Sequence, residues 1–169
     1  MCAAVLAANI LVQFPFAPFG LADYLTYGAF TYPVTFLVND LTNRRLGPVR
    51  TRQVIYVGFA LAVLLSAAFA TPRIALASGT AFLTAQLIDA TVFDRLRRLR
   101  WWLPPLMSGV VSSAIDTVVF FSLAFAGTGL PWETWALCDY GVKLAMIALF
   151  LGPYRIAIAR MPAWQPRAL

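Results

Sequence analysis

Asp116, Asp139 and Lys143 lie deep in two otherwise apolar stretches, residues 103–126 and 132–158. If those stretches cross a membrane, each charge costs about 2.5–3.5 kcal/mol at mid-bilayer, so a bundle selected for packing alone would avoid them. Asp139 and Lys143 are four residues apart and therefore share a helix face, where they can pair. That pair reads either as a salt bridge between helices or as part of a site. Asp116 has no basic neighbour on its own helix, so it must reach Lys143, a hydroxyl, an amide or water. Further polar groups occupy other apolar runs: Asn9 with Gln13, Asn39 with Asp40, and Gln86 with Asp89. Asp40 and Asp89 read equally as interfacial anchors near arginines or as site residues. Together these groups imply a wet or ligand-filled cavity, and the excess of carboxylates over lysine favours a cationic or donor-rich occupant.

The elements that must position these residues follow from composition. Of 169 residues, 61% are hydrophobic and 12% charged, and the mean hydropathy is +0.77. A soluble domain has about 45–50% apolar and about 25% charged residues. The solvent expected here is a bilayer. Apolar runs at 1–12, 24–41, 54–70, 74–93, 103–126 and 132–158 predict an all-α polytopic membrane protein, six transmembrane helices in one bundle. The whole chain, 1–169, reads as a single domain. Pro33 lies inside the second run and predicts a helix broken there, because proline removes a donor and crowds the preceding turn. The first run has no basic residues before it, which argues against a signal peptide.

The arginines orient the bundle. Arg44, Arg45, Arg50 and Arg52 follow the second run, Arg95, Arg97, Arg98 and Arg100 the fourth, and Arg155, Arg160 and Arg167 the sixth. Only Arg73 lies at the opposite end. Eleven against one places the arginine side, with both termini, in the cytoplasm of a multi-pass inner-membrane protein. The segments 43–52 and 94–100 are expected as cytoplasmic loops. Arginines at segment ends also argue against nucleic acid as a partner.

Other chemistries are excluded by what is missing. There is no histidine and there are two cysteines, so neither a metal site nor a redox pair is expected, and no cofactor. No nucleophile elbow, phosphate loop or dinucleotide fingerprint occurs, so the chain does not read as an enzyme. A membrane subunit working with a separate ATPase and a non-transporting scaffold remain as other classes. Ala4 and Ala8 have the small-residue spacing that permits helix association into a homo-oligomer.

The ordered residues Asn9, Gln13, Pro15, Gly28, Pro33, Phe36 and Asp40 resemble the bacterial queuosine-precursor transporters of the vitamin uptake transporter family. So do Gln86-Leu-Ile-Asp89, Trp101-Trp102, Ser108, Asp116-Thr117, Phe120-Phe121, Asp139-Tyr140 and Lys143. The chain departs from that pattern at Ser113 and Ile115. The resemblance implies uptake of a small molecule, 7-cyano- or 7-aminomethyl-7-deazaguanine, across the inner membrane for tRNA queuosine salvage. It is joined to a residue-level expectation of Asp116, Asp139 and Lys143 as the central binding site. Gln86, Asp89, Asn9 and Asp40 come next, with Phe36, Phe120 and Tyr140 as stacking partners.

Overall fold

The structure, a computed structural model, describes residues 1–164, and over them it is helical apart from an isolated bridge between Pro15 and Thr26. The elements are α1 (Cys2–Leu11), a 3-10 turn (Pro18–Gly20), α2 (Gly28–Thr31), α3 (Val34–Phe69), α4 (Pro72–Leu96), α5 (Leu103–Phe125) and α6 (Trp132–Ala159). Arg167 lies outside the described residues.

Local chemistry explains the boundaries. Thr71 is extended and its Oγ1 accepts from the Ile74 N–H at 3.4 Å, while Pro72 fills the first turn, where no donor is needed. Pro104 and Pro105 open α5 in the same way. The connection from α5 to α6 passes through Gly127 (φ 78°) and Gly129 (φ 75°), a left-handed backbone that side chains resist.

Helix α4 is the spine of the bundle, with α5 packed closely on one flank and α3 on another; α6 lies against α5, and α1 against α3. Ala77, Ala81 and Ala85 form a buried small-residue stripe on α4, and Ser108, Gly109, Ser112 and Ser113 are buried on α5. Small side chains let membrane helices approach closely and bring polar groups into contact. One apolar cluster joins Val5, Ile55, Ala62, Phe82 and Ala90, and a second joins Phe93, Tyr154 and Ile158 at the arginine-rich end. At the opposite end Arg73 donates from Nε to the Leu123 carbonyl (2.9 Å) and from Nη2 to that of Ala126 (2.6 Å).

Among the described residues, four helical stretches are long and apolar enough to cross a membrane, against the six expected. The difference has two sources. The first run supplies a helix of only 10 residues, Cys2–Leu11. The second and third runs fall within one stretch, Gly28–Ala68, of 41 residues. Residues 43–52, expected as a loop, are helical. Arginine is a good helix former, so a basic segment need not unwind. The stretch breaks at one residue, Gly47 (φ 81°, ψ 174°), followed by Pro48. The indole of Trp164 covers this break: a Cβ built on Gly47 would lie 2.6 Å from its ring, and the Trp164 N–H donates to the Arg44 carbonyl at 2.9 Å.

Pro33 produces a milder interruption than expected. Tyr32 (φ −56°, ψ −41°) and Pro33 (φ −60°, ψ −15°) keep right-handed helical angles between α2 and α3. The Tyr32 N–H still reaches the Gly28 carbonyl at 2.8 Å, and the Thr35 N–H reaches that of Tyr32 at 2.9 Å. The chain tightens here without unwinding.

Candidate functional site

A cavity of about 570 Å³ runs from the segment 22–26 and Thr71 down to Tyr32, Asp116, Asp139 and Lys143. That volume is in the range of small-molecule sites, about 300–1,000 Å³. Its walls carry Tyr24, Phe82, Phe120, Phe121, Phe125 and Trp135, with Asn9, Gln13, Ser66 and Ser78 as polar points and Asp23 near the outer rim. The aromatic wall is mutually braced. The Phe120 and Phe121 rings meet edge to face at 5.2 Å, and those of Phe125 and Trp135 at 5.6 Å.

The floor is an ionic network assembled from three parts of the chain. Lys143 Nζ lies 2.7 Å from Asp116 Oδ2 and 2.5 Å from Asp139 Oδ2, and donates to Thr117 Oγ1 at 3.1 Å. Thr117 in turn donates to Asp139 Oδ2 at 3.0 Å. The Tyr32 hydroxyl donates to Asp116 Oδ1 at 2.8 Å, and the ammonium sits 5.3 Å from the centre of the Tyr32 ring. The ammonium's three donors thus meet three acceptors. Side-chain exposures are 6% for Lys143, 7% for Asp116 and 14% for Asp139, so Asp139 is the most open member. The i,i+4 spacing on α6 brings Asp139 and Lys143 to one face, and α5 delivers Asp116 opposite them. Two carboxylates around one ammonium leave the floor with net negative charge, suited to a ligand that offers N–H donors.

A second polar cluster lies outside the cavity lining. Gln86 donates to Thr35 Oγ1 at 2.7 Å, and Asn39 donates to Asp89 Oδ2 at 2.7 Å and to the Gln86 carbonyl at 3.1 Å. Ser112 lies 3.4 Å from Asp89 Oδ1, and Ser108 lies 3.3 Å from Asp40 Oδ1. Nearer the arginine-rich end, Asn43 donates to the Ala90 carbonyl at 2.9 Å and accepts from Arg97, which also pairs with Asp94 at 2.8 Å.

The expected site residues therefore divide. Asp116, Asp139, Lys143, Asn9 and Phe120 line the cavity. Gln86, Asp89 and Asp40 belong to the second cluster. Phe36 is buried edge-on to Tyr32 at 5.7 Å, and the Tyr140 hydroxyl donates to the Val110 carbonyl at 3.4 Å; neither lines the cavity. Tyr32, Thr35 and Ser112 were not among the site residues expected from the sequence. The available signal was spacing: Thr35 with Asn39, Gln86 with Asp89 and Ser108 with Ser112 each form a polar pair three or four residues apart.

The family model described as "Putative vitamin uptake transporter" matches residues 26–71 and 67–157, which include every helix from α2 to α6 in whole or large part. The chain belongs to the vitamin uptake transporter family. Among curated members, the "Probable queuosine precursor transporter" of Haemophilus influenzae is 34% identical across 91% of this chain and 81% of its own. The "Queuosine precursor transporter" of Escherichia coli is 33% identical over the same shares. The "Probable queuosine precursor transporter" of Bacillus subtilis is 29% identical over 94% of this chain and 81% of its own. No solved structure matches. These relatives bear transporter names rather than enzyme names, in line with the lack of enzyme motifs here.

Proposed function

We propose that this vitamin uptake transporter carries the queuosine precursors 7-cyano- and 7-aminomethyl-7-deazaguanine into the cell through the cavity floored by Asp116, Asp139 and Lys143. The observation that carries this reading is the pairing of an acceptor-rich floor with an aromatic wall, in a chain similar to queuosine precursor transporters over about nine-tenths of its length. A deazaguanine offers adjacent N–H donors on its pairing edge, which one carboxylate accepts side by side. Asp139, the most open carboxylate, is the first contact, and Asp116 the second once Lys143 shifts. The flat ring stacks on Phe120 and its neighbours, and Asn9 supports one edge.

In this reading the chain makes six passages. Gly28–Ala68 is counted as two, divided at Gly47, and α1 completes the first with the residues beside it. The arginine-rich end faces the cytoplasm of an inner membrane and the cavity opens outward. Single cysteines at the exposed positions Arg52 and Thr128 should react with an impermeant reagent from opposite sides; reaction from one side overturns this topology.

The test of function uses a strain unable to make either precursor. Expression of this chain should restore queuosine in tRNA when either precursor is supplied at limiting concentration. Uptake by Asp139→Ala should fall at least about tenfold, the effect of losing about 1.4 kcal/mol of binding. A well-expressed wild-type protein that restores no queuosine refutes the assignment.

A further inference from the structure

The second cluster is short of hydrogen-bond donors. Asp40 and Asp89 are 4% and 0% exposed, yet neither meets a cation within 4.0 Å among the described residues. The hydroxyls that face them are oversubscribed. Ser112 Oγ is 2.6 Å from the Ser108 carbonyl and only 3.4 Å from Asp89, so its proton goes to the carbonyl. Ser108 Oγ lies 3.3 Å from Asp40 Oδ1 and 3.4 Å from the Pro105 carbonyl, with a single proton to give. Asn39 Oδ1 and Gln86 Oε1, on wholly buried side chains, have no partner among the described residues. Asn39 must keep its NH₂ on Asp89, so its unpartnered oxygen belongs to the same planar group and stays beside that carboxylate. Two carboxyl groups and two carbonyl oxygens without donors in a dry interior form a strongly unfavourable arrangement unless a proton or another cation joins them.

The charged and titratable neighbours do not fill that role. From α3, Arg44 is one turn beyond Asp40 and forms no ion pair with it within 4.0 Å, although its buried Nε has no partner among the described residues. Just past α4, Arg97 pairs with Asp94 and donates to Asn43; its Nη1 has no partner among the described residues, and it makes no ion pair with Asp40 or Asp89 within 4.0 Å. Helix α5 contributes hydroxyls alone, and from α6 Tyr154 shares with Asp40 a void of about 20 Å³, enough for one water. Tyr32, at the top of the cluster, spends its hydroxyl on Asp116. At least three His, Cys, Asp or Glu groups clustered for a divalent ion do not occur among the described residues. With one carboxyl of the pair protonated, the vacancy in charge is that of one monovalent cation.

We infer that Asp40 and Asp89, with Asn39 and Gln86, form a binding site for one monovalent cation, proton or sodium, whose passage drives the substrate bound at Lys143. The two sites are mechanically joined. Tyr32 accepts the Thr35 hydroxyl at its carbonyl (2.7 Å) while its side chain holds Asp116, and Thr35 accepts from Gln86. Filling or emptying the cation site therefore shifts a backbone segment that reaches the substrate floor.

This inference rests on the transport reading above, and the experiment separates the two. Purified protein in liposomes is first assayed for counterflow of labelled 7-aminomethyl-7-deazaguanine, which needs no gradient, and then for accumulation under a pH or a sodium gradient. One-to-one coupling to a tenfold gradient supports about tenfold accumulation. Wild-type protein should reach that with one of the two cations, which identifies it. Asp40→Asn and Asp89→Asn should each bring the ratio to one while counterflow persists. Counterflow without accumulation under either gradient, or full accumulation by both variants, overturns the inference. If wild-type counterflow itself fails, the substrate assignment falls instead. The cation site is then decided by thermal unfolding in detergent. The midpoint of wild-type protein should respond to pH or sodium more than that of Asp89→Asn, and identical responses on both axes would reject the site.

Discussion

The cavity floor and the cluster beneath Tyr32 use the same residue types and solve opposite problems. At the floor, each carboxylate has a cation within 2.7 Å and Lys143 has every donor occupied. In the second cluster, two carboxylates share an amide and hydroxyls, and no cation among the described residues lies within 4.0 Å of them. The floor is internally balanced apart from one negative charge, so it is stable while waiting for a ligand. The second cluster is unbalanced and is completed only from outside. Membrane burial makes that difference large, because water is not at hand to compensate.

The comparison is tested most severely by Lys143→Met, which keeps the aliphatic length and removes the only cation of the floor. Breaking a buried ionic group leaves its partners uncompensated, so a loss of about 3–5 kcal/mol is expected, together with uptake. Chemical unfolding in detergent and a transport assay check both. Tyr32→Phe removes one hydrogen bond to a carboxylate and should cost about 1.5–3 kcal/mol. Its unfolding midpoint should lie between those of wild type and Lys143→Met.

In the second cluster, Asp89→Asn retains an acceptor for Asn39 while removing a buried charge that has no counter-ion. Its stability in sodium-free buffer should stay level or rise. A loss as large as that of Lys143→Met would erase the distinction between the regions. The smallest effect belongs to Ser113→Ala. Ser113 Oγ is buried without a partner, so its removal should leave stability within about 0.5 kcal/mol or raise it.

Much of the floor was legible in the sequence because charge inside an apolar run is conspicuous, and the four-residue spacing of Asp139 and Lys143 survives any helix rotation. Helices α4, α5 and α6 also follow their apolar runs closely. The second cluster was less legible. When nearly every face of a helix is apolar, periodicity does not tell which polar residues face a cavity and which face a neighbouring helix. Asp40, Gln86 and Asp89 were therefore grouped with the floor, although Tyr32 and Thr35 intervene. The bond from Tyr32 to Asp116 joins residues 84 apart in sequence, and no local pattern announces it. At Gly47 the density of arginines suggested a loop, whereas helical propensity carried the backbone through and concentrated the break in one glycine.

The lone arginine at the cavity end has a consequence for motion. Its guanidinium ties the first turn of α4 to the last carbonyls of α5, on top of the closest helix packing in the bundle. Those two helices are therefore expected to stay together through a transport cycle. Movement is expected opposite them, in α1 and the 12–27 segment, where Phe14 and Phe16 make two backbone hydrogen bonds across a narrow hairpin and the Phe16 ring packs on Tyr27 and Phe30. A cross-link between α4 and α5 should leave the cycle running, and one between α1 and α5 should stop it.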